Sequence, residues 1–188
     1  MRRVRYSVAM SLDGYIAGPN GEYDWIIMDP DIDFGAIFKE FDTLLMGRKT
    51  YETTRQQGGG GMPGIQSYVF SRTLRQRDCP GVIVSDQPEV TVRELKARPG
   101  KDIWLFGGGA LFASLLGLGL VDSVEAAVIP VLLGGGVPLL PHPAKLARLR
   151  LAKHRVYEKT GTISLEYEVV PAAASSKTRE GRKRKKGS

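Results

Sequence analysis

The stretch Lys101 to Leu111, KDIWLFGGGAL, constrains this chain most, because it joins an apolar run to three glycines and then to a segment of helical character. Ile103-Trp104-Leu105-Phe106 places four bulky apolar residues before a breaker, the pattern of a buried strand. Gly107-Gly108-Gly109 lets the main chain turn tightly and brings its N–H groups to a surface with no side chains in the way. Ala110 to Leu116 continues as a helix. A helix start leaves unpaired N–H groups and a partial positive charge, so a strand, a bare turn and a helix start together form a seat for a phosphate. The spacing is not GxGxxG, and a tight structural corner explains it as well, so the rest of the chain has to decide.

Two further places repeat the arrangement. Thr43-Leu44-Leu45-Met46 reads as a short buried strand, and Gly47-Arg48-Lys49-Thr50 is the turn into a helix over Tyr51 to Gln56. Arg48 and Lys49 read either as a solvated surface pair or as phosphate contacts, and their position after a buried strand favours the second. Ser67 to Phe70 is another strand, followed by the hydroxyls and cation of Ser71-Arg72-Thr73. Val82 to Val84 is a strand and Thr91 to Arg98 a helix closed by Pro99-Gly100. Strands alternating with helices at this spacing predict βαβ units and a mostly parallel sheet, whose ligands sit beyond the carboxyl ends of the strands. One dinucleotide could then touch all three turns.

Around this centre, Val4 to Met10 reads as a strand, and Ser11 to Gly21, rich in Gly, Pro, Asn and Asp, as a long loop suited to a flap over a ligand. Trp25 is either a core anchor or a pocket wall. Asp31 to Phe41 has apolar residues at 34, 37, 38 and 41, one helical stripe, with Asp31 or Asp33 as its N-cap. Gln57 to Gly64 is a flexible glycine-rich loop. Ser123 to Ile129 is strand-like, and the second triplet, Gly134-Gly135-Gly136, precedes no helix and is not assigned to phosphate. Leu149 to Glu158 and Thr160 to Val170 form an antiparallel hairpin at the sheet edge.

A chain of 188 residues with 42% hydrophobic content suits one domain with a full core. The net charge of +7 is unevenly placed: residues 172–188 carry seven basic residues and Glu180, a net of +6, which leaves the body nearly neutral. The expected division is a folded domain over 1–171 and a basic, flexible tail over 172–188. The tail lacks interleaved aromatics, so nucleic acid is a partner only through loose contact with it. No run of about 18 apolar residues occurs, and the N-terminus enters a strand directly, so a soluble, cytoplasmic protein is expected without a membrane partner. Cys79 is the single cysteine and His142 and His154 lie far apart, which excludes an internal disulfide and a structural zinc pattern; no metal is expected.

Together VAMSLDGYIAG at 8–18, LLMGRKTYE at 44–52, YVFSRT at 68–73, IWLFGGGAL at 103–111 and VDSVEAAVIPVLLGGGVPLL at 121–140 resemble the dihydrofolate reductase superfamily. The branch they resemble more closely holds the reductase domain of the bacterial riboflavin-pathway bifunctional deaminase-reductase. The resemblance spans about residues 2–170 and implies a three-layer α/β/α sandwich on a mixed, mostly parallel sheet with a C-terminal antiparallel hairpin. It also implies NADPH as cofactor, hydride transfer to a pteridine- or pyrimidine-like heterocycle, as in 5-amino-6-(5-phosphoribosylamino)uracil reduction, and a homodimer whose seam is apolar surface of the final third.

Carried onto this chain, Ala9 and Ile16 would line the nicotinamide, and Gly47, Arg48, Lys49 and Thr50 would hold phosphates. Ser71 and Arg72 would meet the adenosine 2′-phosphate, a dianion that a fork of N–H donors matches. Gly107, Gly108, Gly109, Ala110 and Leu111 would take the pyrophosphate. The carboxylate that promotes protonation in dihydrofolate reductase falls near Phe34 here, so Asp33 and Asp31 are its approximate counterparts and also read as helix caps. Asp13, in the SLDG segment, and Trp25 are the candidate substrate contacts. Tyr15 stands where the riboflavin-pathway reductase commonly has a basic residue, which takes away the substrate-phosphate contact expected there. A different class remains open: an inactive nucleotide-binding or regulatory protein whose basic tail touches nucleic acid.

Overall fold

In the computed structural model, which describes residues 1–56, 58 and 61–171, eight strands form one sheet. The elements run β1 (Val4–Ser11), β2 (Tyr15–Ala17), α1 (Phe34–Phe38), β3 (Phe41–Gly47), α2 (Arg48–Gln56), β4 (Gln66–Phe70), β5 (Ile83–Ser85) and α3 (Pro88–Ala97). They continue with β6 (Asp102–Gly107), α4 (Gly109–Gly117), β7 (Ser123–Ile129), β8 (Val137–Pro138), β9 (Arg148–Tyr157) and β10 (Thr162–Val170). The sheet order is β5-β4-β3-β6-β1-β7-β10-β9, with the first six parallel and β10 antiparallel to both β7 and β9. The mixed sheet with its terminal hairpin is the one the sequence predicts. Residues 172–188, expected as a tail, lie outside the described residues, as do positions 57, 59 and 60 of the glycine-rich loop.

Side chains alternate across the sheet, so each strand feeds two cores. Val4 and Tyr6 of β1, Leu45 of β3, and Ile103 and Leu105 of β6 pack under Val92 and Leu95 of α3 and Leu111, Phe112 and Leu115 of α4. Leu44 and Met46 of β3, Val69 of β4 and Trp104 of β6 face the other way, where Tyr51 of α2 and Ile37 and Phe38 of α1 cover them. The result is three layers. Tyr6 stacks on Phe112 at 3.9 Å between ring centroids, and Trp104 stacks on both Phe38 and Phe41. Truncating such a buried ring to Ala costs about 3–5 kcal/mol.

Two elements differ from the sequence reading. The helix expected over 31–41 is a single turn, Phe34–Phe38, because Phe41 leaves the helical stripe and enters β3 opposite Asp102. An apolar residue at that spacing satisfies a helix face or a strand equally well, and the parallel ladder with β6 decides between them. The loop expected over 11–21 contains β2, which pairs with β8. Neither two- or three-residue strand carries a local signal; each exists because the other is beside it. Helix α2 begins at Arg48, directly after β3, and α4 at Gly109, with Gly108 alone between it and β6.

Candidate functional site

The carboxyl ends of the parallel strands share one rim. Met46 of β3 is in register with Gly107 of β6, Gly47 with Phe70 of β4, and Phe70 with Ser85 of β5. The three turns singled out in the sequence, 47–50, 71–73 and 107–111, are thus neighbours on the same edge. A Cβ built on Gly47 would lie 3.8 Å from the Gly108 nitrogen, and one built on Gly108 would lie 3.3 Å from Thr50 Oγ1. The β3–α2 and β6–α4 turns therefore pack backbone to backbone, with Thr50 between them. Gly108 caps α4 with no side-chain hydrogen bond and accepts the Leu111 N–H on its own carbonyl at 3.0 Å, so of the seat expected over 107–111 the N–H groups of Gly109 and Ala110 are left for a ligand and that of Leu111 is not. A row of bare glycines at a helix start fits a dinucleotide pyrophosphate. The Gly107–Gly108 peptide is cis.

The cations at this rim are in different states. Arg48 is exposed and pairs with Glu52 one turn on, at 3.1 Å. Lys49 is exposed on the same helix start. Arg72 is exposed and makes no ion pair among the described residues. Ser71 spends its hydroxyl on its own turn, accepting from the N–H groups of Thr73 at 3.1 Å and Leu74 at 3.0 Å, which presents Arg72 outward.

The loop after β1 is stitched to the second glycine triplet. Asp13 accepts from the Ser11 hydroxyl at 2.6 Å, from Leu133 N–H at 3.1 Å and from Gly134 N–H at 2.7 Å. Its carboxyl is held below the ordinary aspartate range, first by the Ser11 bond and, against a smaller desolvation effect, by those N–H donors. Backbone bonds from Leu12 to Val131 and from Leu139 to Gly14 complete the join. A Cβ on Gly136 would meet Ala17 O at 2.2 Å, and one on Gly109 would meet Pro138 O at 2.8 Å. The 134–141 segment therefore lies between the flap and the start of α4, and only glycine fits at either contact. The sequence shows the triplet at 134–136 but not its use, because its partners lie about 120 residues away.

Ala9 and Ile16, half-buried, sit on β1 and β2 beneath this join. Trp25 is half-buried in the loop beyond β2, and its indole N–H donates to Glu22 O at 3.0 Å. Asp33 is exposed and caps α1, accepting from Ala36 N–H at 2.8 Å. Asp31 is turned away to Lys159, at 2.7 Å, in the β9–β10 turn. Asp29, missed in the sequence, is buried and accepts from the Thr160 hydroxyl at 2.9 Å and from Asp31 N–H at 2.9 Å. Burial pushes its carboxyl up, but those bonds and the nearby Lys159 hold it below the ordinary range. These contacts pin the loop over residues 19–33 across the sheet to the hairpin turn.

An α/β/α sandwich on this strand order, with an antiparallel hairpin at its end, is the dihydrofolate reductase-like class of fold, and the dihydrofolate reductase from Enterococcus faecalis, solved in complex with NADP(H), shares it. It matches with a TM-score of 0.66 at 17% identity, covering 90% of this chain and 97% of that one. Residues 2–162 match the RibD C-terminal domain, and the chain belongs to that family. A crystal structure of a protein assigned to riboflavin biosynthesis from Shewanella sp. PV-4 superposes with a TM-score of 0.76 at 26% identity, covering 91% of this chain and all of that one. The uncharacterized protein YyaP of Bacillus subtilis (strain 168) is 35% identical over 178 residues, 88% of this chain and 94% of the relative. Among the described residues no helix is long and apolar enough to cross a membrane.

Proposed function

We propose that this chain is an NADPH-dependent reductase that passes hydride to a pteridine- or pyrimidine-like heterocycle of the kind reduced in riboflavin biosynthesis. The observation that carries the reading is the meeting of three strand ends on one rim, two of them joined through Thr50 and the bare glycines. The family membership and the NADP(H) held by the Enterococcus faecalis enzyme on this fold support it.

NADPH, when bound, supplies the hydride, and the chain supplies position and surroundings. The N–H groups of Gly109 and Ala110, at the start of α4, would hold the pyrophosphate against the positive end of that helix. Arg48, Lys49 and Thr50 would meet the phosphates from the start of α2, while Arg72, presented by the turn that Ser71 closes, would meet the adenosine 2′-phosphate. Ala9 and Ile16 line the nicotinamide, and the flap held by Asp13 keeps water out. Asp31 is taken up by Lys159 while Asp33 spends only one carboxylate oxygen on the cap of α1, so Asp33 is the aspartate we carry forward as proton source. Asp33→Asn retains the cap; a fall in kcat with an unchanged melting temperature would support that role, and an unchanged kcat would remove it. Leu149, Leu151, Val156 and Ile163, exposed on one face of the hairpin, are the proposed homodimer seam; a monomer by light scattering would contradict it.

Fluorescence titration with NADPH and NADH tests the cofactor reading. The protein should bind NADPH more tightly, and Arg72→Ala should weaken NADPH at least about tenfold while changing NADH less than about twofold. No binding of either nucleotide ends the reading.

A further inference from the structure

On the face of the sheet covered by α1, the in-register residues Ala9 of β1, Ala127 of β7 and Ser164 of β10 form a row of small, half-buried side chains. Small residues side by side on three neighbouring strands leave a shelf where larger ones would fill the space, and Phe106 borders it on β6. The next residue along the row, opposite Ser164 on β9, is Arg155.

Arg155 breaks a pattern. On this face of the hairpin the cations of β9 stand opposite glutamates of β10: Arg150 opposite Glu168 and Lys153 opposite Glu166, each paired as a salt bridge. Lys159, in the turn, is taken by Asp31. Arg155 alone of these faces a serine, and it makes no salt bridge among the described residues. Arg148 lies at the far end of the strand, beside Val170. The Arg155 guanidinium carbon instead lies over the Tyr157 ring, 4.5 Å from its centroid. A cation–π contact of this kind localises the guanidinium beside the ring without using up its N–H donors, which leaves them for an oxyanion.

We propose that Arg155 recognises an oxyanion, a carboxylate or a phosphate, carried by the substrate at the end opposite the ring that accepts hydride. The proposal rests on the proposed function, which places the nicotinamide at Ala9. Three strand spacings separate Ala9 from Arg155, about 14 Å. That span takes a planar heterocycle over Ala127 and Ser164 followed by a short chain ending in the anion. An uncharged heterocycle with no such arm leaves the fork unused.

Matched probes test this on the NADP⁺-saturated full-length protein. Calorimetry compares uridine with uridine 5′-monophosphate, and biopterin with folate, for wild type, Arg155→Ala, Arg155→Lys and the control Lys153→Ala. At least one anionic probe should bind at least tenfold more tightly than its neutral partner in wild type. Arg155→Ala should erase that gap without moving the neutral probe or the NADPH affinity by more than twofold, Arg155→Lys should keep part of it, and Lys153→Ala should keep it. A gap confined to uridine 5′-monophosphate identifies phosphate, and one confined to folate identifies carboxylate. No preference for either anion in wild type, no binding of either anionic probe, or a gap that survives in Arg155→Ala overturns the assignment. Failure of wild type to bind NADPH overturns the cofactor reading instead, and is scored separately.

Discussion

The two glycine triplets are identical as text and differently placed. Gly107 to Gly109 ends a buried strand and opens a helix; Gly107 and Gly109 are buried, Gly108 is half-buried, and no side chain caps the helix start. Gly134 to Gly136 comes after β7 and leads into β8; Gly134 is exposed and its N–H goes to Asp13, while Gly136 presses on Ala17 O. The element on the C-terminal side of a glycine run thus decides what its polar groups do: before a helix they are the helix's uncapped start, before a short strand they clasp a loop. The two meet physically, because Pro138 O stands against Gly109.

The difference can be broken from either side. Gly136→Ala should have the largest effect on stability, about 3 kcal/mol, since its Cβ would sit on a carbonyl and its φ of +139° disfavours any side chain. A urea melt measures it, and NADPH affinity of the remaining folded protein should stay within about twofold. Gly109→Ala should do the reverse, weakening NADPH at least about tenfold with a smaller loss of stability, because the new methyl pushes the 138–141 backbone off the helix start. If both variants lose stability alone, the first triplet is structural too.

The smallest effect belongs to pH. Asp13 has a depressed carboxyl, so the stability it contributes is full above the unfolded aspartate value of about 4 and is lost as pH falls through the lower folded value. Asp29 acts in the same direction on the other end of the loop. Asp13→Asn should therefore be less stable than wild type at pH 7 and lose less between pH 6 and pH 3, as circular-dichroism melts at both values would record. Equal acid sensitivity would remove Asp13 from the role of clasp.

The parallel core and its rim are legible in the sequence because each turn is local: a buried run, a glycine or hydroxyl, and a helix start lie within a dozen residues. Arg48, Ser71, Arg72 and Gly107 to Leu111 all fall on one edge for that reason. The short helix at Phe34–Phe38 was not legible, since Phe41 fits a helical stripe and a strand alike until β6 is beside it. The β2–β8 pair, the clasp on Asp13 and the buried Asp29 are invisible to any local reading. Their energies come from partners more than a hundred residues apart, and composition around them says only that a loop is present. Asp31 and Asp33 were visible as a pair, yet only coordinates separate the one turned to Lys159 from the one capping α1.

The pinning of Asp29 to Thr160 has a consequence for synthesis on the ribosome. The loop over residues 19–33 is among the first parts of the chain to emerge, and its anchor is among the last. Pairing of this kind carries a loop-closure cost that no early contact offsets. A nascent chain halted before Thr160 can hold its first strands in line but has nothing to fasten the loop to, so the loop takes its place across the sheet only with the final hairpin.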